Sequence, residues 1–301
     1  MPFLNISNLK EISVEISPDI NKNGVLINIL RLDKIHPVIS GNKIFKLIEY
    51  LDEALQTEEK TLLTFGGAYS NHLHATGFVC HQSGIKSIGI VRGETIEMNS
   101  PTLTDCLSLG MELHFIGRND FKKIAEVPRA QEIYRQFGKC TIVPAGGYGK
   151  MGASGASKIL DFIPLNTFTY IGAAVGTATT LAGLMYRERT EKILAFPALK
   201  GMTDMPVRLN HLGAKSTNRL ITIPDYHFGG FGKKRPELLN FMNSFYTEYH
   251  IPLDFVYTGK MMYGIFDLAE KGFFPPGSKI LVIHSGGLQG NRSLPDNALI
   301  Y

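Results

Sequence analysis

Lys43 stands in Ser40-Gly41-Asn42-Lys43, a short glycine-containing turn that runs straight into a helical pattern, and a lysine so placed can act as a nucleophile. Most lysines are solvated surface charges, so this one gains weight only from its company. Gly66-Gly67-Ala68-Tyr69-Ser70-Asn71-His72 follows a strand pattern and ends in a hydroxyl, an amide and an imidazole in succession. Gly176-Thr177-Ala178-Thr179-Thr180 follows another strand pattern. Its small residues let backbone N–H groups reach an anion at a helix start, and its hydroxyls add donors, which suits a phosphate. Small and hydroxyl residues also make ordinary caps and connections. It is not a Walker loop, because no Gly-Lys-Ser/Thr follows at the required spacing. Tyr257-Thr258-Gly259-Lys260 opens a later helical pattern with a phenol and a further hydroxyl.

The elements that must position these groups alternate in type. Ile44, Leu47, Ile48, Leu51 and Leu55 recur at three- and four-residue spacing, which predicts an amphipathic helix beginning just after Lys43. Lys46, one helical turn on, competes as the reactive amine, and within such a helix a solvated role is expected for it. Thr61 to Phe65 reads as a short apolar strand and Gly66-Gly67 as a turn; a helix is expected from Ser70 or Asn71, both N-cap types. Ser87 to Val91, Glu112 to Ile116, Cys140 to Pro144, Phe168 to Ala174, Ile193 to Phe196, Arg219 to Ile223 and Lys279 to His284 read as further strands, mostly separated by helical patterns. Apolar strands separated by helices imply parallel sheets covered on both faces, so the fold class is α/β. There is no internal repeat and no low-complexity linker.

Composition narrows the function. The 301 residues, 44% hydrophobic and 19% charged, can bury a large core in one big domain or two intimate ones. A net charge of +4 without a long basic run argues against nucleic acid; the nearest cluster is Lys233-Lys234-Arg235. Met1 to Lys10 lacks a signal pattern and no apolar stretch is long enough to cross a bilayer, so no membrane partner and a cytoplasmic location are expected. Cys80, Cys106 and Cys140 are far apart and form no Cys-x-x-Cys pair, which suggests neither disulfide nor zinc. His72 and His74 are two apart and would not share a helix face, so no metal site is expected. Gly147-Tyr148-Gly149-Lys150-Met151-Gly152 has the glycine spacing of a dinucleotide fingerprint. The next strand ends without the acidic residue that would hold a ribose, which disfavours NAD.

Taken together, the four reactive stretches resemble pyridoxal 5'-phosphate (PLP) enzymes of the tryptophan-synthase-like fold (PLP fold type II), specifically the aminocyclopropane-carboxylate deaminase and D-cysteine desulfhydrase family, from about Arg31 to about Gly287. The resemblance implies a smaller domain, residues 44–154, inserted between the parts 1–43 and 155–301 of a larger PLP-binding domain, with the cofactor between them. It implies that Lys43 holds the cofactor's aldehyde and, once displaced by substrate, takes the α-proton. Gly176, Thr177, Ala178, Thr179 and Thr180 would hold the phosphate, Asn71 the ring oxygen, and Ser70 the substrate or a proton in transfer. Both Ser70 and Asn71 are also plausible caps. Gly146-Gly147-Tyr148 resembles a glycine-rich segment beside the cleft.

Tyr257 and Thr258 bear on the substrate. The resemblance sets Thr258 beside the pyridine nitrogen, where the cyclopropane deaminases carry a glutamate that keeps the ring a strong electron sink. A hydroxyl cannot hold that charge, which favours expulsion of a thiol over opening of a cyclopropane; the position is also that of an N-cap. Tyr257 would add an acid or a substrate contact, and the deaminases' second active-site tyrosine falls on Phe228. The expected reaction is D-cysteine to pyruvate, ammonia and sulfide. The alternatives are 1-aminocyclopropane-1-carboxylate to 2-oxobutyrate and ammonia, and PLP binding without turnover. The family further implies a homodimer acting on a small amino acid.

Overall fold

The computed structural model describes residues 14–94, 100–125, 128–215 and 217–301. The N-terminal stretch Met1 to Lys10 lies outside the described residues. The first two strands among the described residues form a hairpin for which the sequence analysis gives no expectation: β1 (Ile20–Lys22) and β2 (Val25–Arg31) pair antiparallel across Asn23-Gly24. Both turn residues take positive φ, 51° and 75°, which a two-residue hairpin turn of this kind requires and Asn-Gly supplies cheaply.

Helices and strands then alternate. α1 (Lys43–Gln56), β3 (Thr61–Gly67), α2 (Asn71–Ser83), β4 (Lys86–Arg92), α3 (Pro101–Ser108), β5 (Glu112–Ile116), α4 (Arg118–Ile124), α5 (Ala130–Phe137) and β6 (Thr141–Val143) come first. They are followed by α6 (Lys150–Ser157), β7 (Tyr170–Val175), α7 (Thr179–Met185), β8 (Lys192–Pro197), α8 (Met205–His211), β9 (Leu220–Thr222), α9 (Pro236–Tyr249), α10 (Thr258–Glu270) and β10 (Lys279–His284). Two sheets result, in the orders β1-β2-β10-β7-β8-β9 and β5-β4-β3-β6, and every pair except β1–β2 is parallel. The α/β expectation holds, and β5 and β10 have the bounds read from the sequence. Gly66 and Gly67 extend β3 instead of forming a separate turn, because both pair with β4.

The core explains how distant segments meet. Phe45, Leu47 and Leu51 of α1, Leu181 of α7 and Ile283 of β10 belong to one buried apolar cluster. Full burial of each such side chain contributes on the order of 1.5–3 kcal/mol. A second cluster joins the other face of the larger sheet to Met242 and Phe245 of α9 and to Met261 and Ile265 of α10. Small residues permit the tightest contacts: a Cβ on Gly155 of α6 would lie 2.0 Å from the Phe45 carbonyl oxygen, and one on Gly183 of α7 would lie 2.6 Å from that of Ala153. α6 is thus wedged between α1 and α7, which fixes the two helix starts that carry Lys43 and the hydroxyl-rich segment.

Candidate active site

Lys43 is aimed by backbone stitching. Gly41 donates its N–H to the Leu32 carbonyl at 2.8 Å, and Asn42 donates to the Ser285 carbonyl at 3.1 Å, so the turn is tied to the ends of both β2 and β10. Gly41 has φ +81°, and a Cβ there would sit 1.9 Å from the Ser285 oxygen, so no other residue fits. The Lys43 amine donates to Asn42 Oδ1 at 2.8 Å, while Asn42 Nδ2 donates to Thr180 Oγ1 at 2.8 Å. One amide therefore links the lysine to the hydroxyl-rich segment. Burial brings the Lys43 amine down to about 8, against an opposing pull from the Asp254 carboxylate, and leaves a substantial neutral fraction near neutral pH.

Lys46 departs from expectation. It is not solvated: it is only 5% exposed, and its amine donates to the Gly146 carbonyl at 3.2 Å. The apolar stripe made α1 look one-sided, but α6 and the turn at Ala145–Gly147 cover its other face. Burial, and then the charge of Lys43, push the Lys46 amine well below its ordinary value. Two amines consequently share one cavity.

Gly176 to Thr180 lie at the end of β7 and enter α7. Ala178 adopts the left-handed region, φ 65°, directly before the helix, and the first N–H groups of α7 have no partner within it. Thr177 and Thr179 share a 2.8 Å hydrogen bond between hydroxyls. Opposite, a Cβ on Gly146 would meet Thr177 at 3.0 Å and one on Gly147 would meet Lys46 at 3.1 Å. Gly147, the first glycine of the segment that resembles a dinucleotide fingerprint, thus brings the backbone close to Lys46.

Ser70 is the N-cap of α2: its oxygen accepts from the N–H groups of His72 and Leu73, each at 3.2 Å. Its own hydroxyl proton stays available to a bound group. Asn71 opens the helix and accepts a hydrogen bond from Gln289. Thr64 donates to the Val143 carbonyl at 2.8 Å, so its oxygen must accept from His72 Nε2, also at 2.8 Å. That fixes the tautomer and leaves His72 Nδ1 a buried acceptor without a partner. His74 faces Asp105 at 3.4 Å. No metal-binding cluster occurs among the described residues.

Lys43, Ser70, Asn71, Tyr257 and the whole of Gly176 to Thr180 line one cavity of about 1210 Å³. That is ample against the roughly 300–1,000 Å³ of ordinary small-ligand sites. Thr258 does not line it: the residue is 1% exposed, and its hydroxyl donates to Asp254 Oδ1 at 2.7 Å. Nor is Thr258 the cap of α10. That position is held by Tyr257, and the carboxylate of Asp254, three residues earlier, accepts the N–H groups of Val256, Tyr257 and Thr258 at 2.8–2.9 Å. Sequence reasoning missed Asp254, a buried anion that acts on Lys43, Tyr257 and Lys260 alike. Its local signal was an acidic residue four positions before a helix-opening threonine.

Tyr257 stands over Gly176, whose absent Cβ would be 3.1 Å from the phenol oxygen. Burial raises its pKa well above the ordinary value, so the phenol keeps its proton. The phenylalanine beside Tyr257 is Phe231, 5.9 Å away between ring centroids. Phe228, which the resemblance sets where the deaminases have a second active-site tyrosine, has φ 52° and is buried against Tyr263.

Compared with protein-family models, the chain matches none. Whole-chain comparison is more informative. A Pyrococcus horikoshii protein provisionally named a 1-aminocyclopropane-1-carboxylate deaminase is 31% identical over 96% of this chain and 93% of its own. The bifunctional D-cysteine desulfhydrase/1-aminocyclopropane-1-carboxylate deaminase of Arabidopsis thaliana is 27% identical over 89% of this chain and 74% of its own. A crystal structure described as an ACC deaminase homologue superposes with a TM-score of 0.77, at 29% identity, over 96% of each chain. The paired lysine and hydroxyl-rich segments therefore sit in a shared fold and a shared sequence, and this chain belongs to the enzyme family of 1-aminocyclopropane-1-carboxylate deaminases and D-cysteine desulfhydrases.

Proposed function

We propose that the protein binds PLP through Lys43 and removes the α-proton and then the β-substituent of a small amino acid, D-cysteine foremost, giving pyruvate, ammonia and sulfide. The observation that carries this reading is the chain Lys43–Asn42–Thr180, which joins a partly neutral amine to a phosphate-type segment inside one cavity. The donor set suits such a group. An aldehyde needs a neutral amine, and a phosphate would be held by the first N–H groups of α7, by the hydroxyls of Thr177, Thr179 and Thr180, and by Lys46, whose protonated form the anion itself favours. When bound, PLP supplies the electron sink that lets a Cα–H bond break and a β-substituent depart.

The remaining work falls to the chain. Lys43, freed by an incoming amino group, is placed to take the Cα proton at its Nζ. Ser70 donates its unused proton to the substrate, and Asn71 offers its amide to the ring oxygen. Tyr257, which keeps its proton, is the acid positioned to protonate a departing group. Thr258, buried away from the cavity with its hydroxyl committed to Asp254, brings no charge to the site, which is compatible with a good leaving group such as a thiol. Cyclopropane ring opening is the second reading, favoured by the names that the relatives carry. We also infer the division into residues 44–154 and the two flanking parts, a homodimer, and a cytoplasmic location. No helix among the described residues is long and apolar enough to cross a membrane.

Side-by-side assays decide between substrates: sulfide and pyruvate from D-cysteine are expected, against 2-oxobutyrate from 1-aminocyclopropane-1-carboxylate. Absence of sulfide rejects the first. Borohydride reduction and peptide mapping test the attachment, and a label on any lysine other than Lys43 rejects the mechanism.

A further inference from the structure

Residues 226–232 run between β9 and α9, and three of them are fastened to one face of α10. Tyr226 donates its hydroxyl to Asp267 Oδ2 at 2.6 Å, and the Phe228 ring meets Tyr263 edge-on with centroids 5.0 Å apart. The Gly230 carbonyl accepts from Lys260 Nζ at 2.7 Å. Lys260, Tyr263 and Asp267 lie three and four residues apart and so share a helix face. Gly264 on that face leaves room for the Tyr226 ring, which a Cβ would approach to 2.9 Å. The bends of the segment are glycines: Gly229, Gly230 and Gly232 have φ of +96°, +117° and +66°, conformations that glycine adopts at little cost.

Just past the Lys260 fastening comes Phe231. It is 51% exposed, lines the cavity, and meets the Tyr257 ring at 68°. Of the three fastenings, the one nearest this residue is also the one whose loss costs most. Lys260 is 2% exposed, and no carboxylate of the described residues lies within ion-pair distance of it. Lifting Gly230 away would take the carbonyl acceptor from a buried ammonium and leave it only the Asp254 carboxylate beyond ion-pair distance, and losing a hydrogen bond to a buried charge costs more than losing a neutral one. The Tyr226 hydroxyl bond, near the surface, has water as an alternative.

We propose that Lys260 is a positioning residue: by gripping the Gly230 carbonyl it seats residues 226–232 on α10 and holds Phe231 against Tyr257 as a wall of the cavity. The inference rests on the functional reading only in taking this cavity as the one that receives substrate. Lys233 and Lys234, exposed and immediately downstream, provide a readout that needs no substrate. In limited trypsin digestion of the full-length protein, Lys260→Met should be cut at these two residues about tenfold faster than the wild type, the factor set by losing one charge-assisted hydrogen bond. Cutting elsewhere and the melting temperature should change little. With the turned-over amino acid, KM should rise by a similar factor while kcat stays within about twofold, because Phe231 touches no bond that breaks.

Asp267→Asn, which loosens the fastening farthest from Phe231, should leave KM unchanged. Lys260→Gln, too short to reach Gly230, should behave as Lys260→Met does and takes over the test if that variant fails to fold. Equal cutting rates in folded Lys260 variants and the wild type overturn the proposal, as does an equal KM rise in Asp267→Asn. Absence of any turnover, with the cutting difference intact, would strike the functional reading and leave this one standing.

Discussion

Lys43 should form a covalent adduct with an aldehyde at neutral pH, and the pH at which it does so reports its surroundings. A solvated lysine titrating near 10.5 is neutral to the extent of about 0.1% at pH 7.5. With the Lys43 amine brought down to about 8 by burial, roughly a quarter is neutral at that pH, a gain of about two hundredfold in reactive amine. The assay uses protein freed of cofactor, exposed briefly to a low concentration of PLP between pH 6 and 10, quenched with borohydride and quantified as the labelled tryptic peptide. Labelling at Lys43 should rise from pH 6 and level off above about 9, where most of the amine is already neutral. Asp254 holds the Lys43 proton more tightly, so Asp254→Asn should move the plateau to lower pH. Labelling that still climbs steeply at pH 10, as for a solvated lysine, would refute the buried-amine account, and a plateau unmoved by Asp254→Asn would refute the part given to that carboxylate.

Other consequences follow from the same geometry. Lys43 and Lys260 both titrate near 8 in the folded chain and near 10.5 when unfolded, so between those values the unfolded chain binds more protons and stability should rise with pH. Above about 10 the buried tyrosines, which ionise only on unfolding, should reverse the slope; melting temperatures of the cofactor-free protein across pH 7–11 check both signs. Lys46→Met should weaken binding of inorganic phosphate about tenfold or more by calorimetry, since it removes a buried amine of the cavity that the arriving anion turns into a cation. Thr258→Val keeps the shape but removes the hydroxyl bonded to Asp254, and should cost about 1–2 kcal/mol in denaturant unfolding, with m unchanged. Gly41→Ala should destabilise the fold by several-fold more than a surface substitution and abolish labelling at Lys43, because its methyl group would occupy the Ser285 carbonyl.

What the sequence disclosed and what it hid divide along the line between local and tertiary causes. The turn before Lys43, the cap at Ser70 and the small residues after β7 are local chemistry, legible because glycine and hydroxyl residues act within a few positions of themselves. The strands were legible because both faces of a parallel sheet are covered, which writes a continuous apolar run into the chain. Asn23-Gly24 carried an equally local hairpin signal that the short three-residue β1 made easy to pass over. Lys46 was misplaced because helical periodicity shows which face is apolar, not that a second element will cover the other. Phe231 and Phe228 could not be told apart by spacing, since glycine bends at 229, 230 and 232 decide which ring turns toward the cavity. Asp254 was hidden for the opposite reason: its bonds to the N–H groups of Val256, Tyr257 and Thr258 are local, but its importance comes from the lysines and tyrosine that the fold gathers around it.

The same crowding determines the charge of the cavity. Lys43, Lys46 and His72 crowd together, and burial pushes all three toward their neutral forms, helped at Lys46 by the charge of Lys43 and at His72 by both lysines, and opposed at Lys43 by Asp254. An arriving dianion reverses the balance for the group that it touches: beside Lys46 and the α7 N-terminus it favours the ammonium there, and that new charge in turn disfavours protonation of Lys43. The anion thereby sorts the two amines, making one a fixed cation and leaving the other a free nucleophile. Asn42, bonded to both Lys43 and Thr180, keeps the sorted pair at a set distance from the hydroxyl-rich segment. Two lysines one helical turn apart can therefore hold opposite protonation states in one cavity.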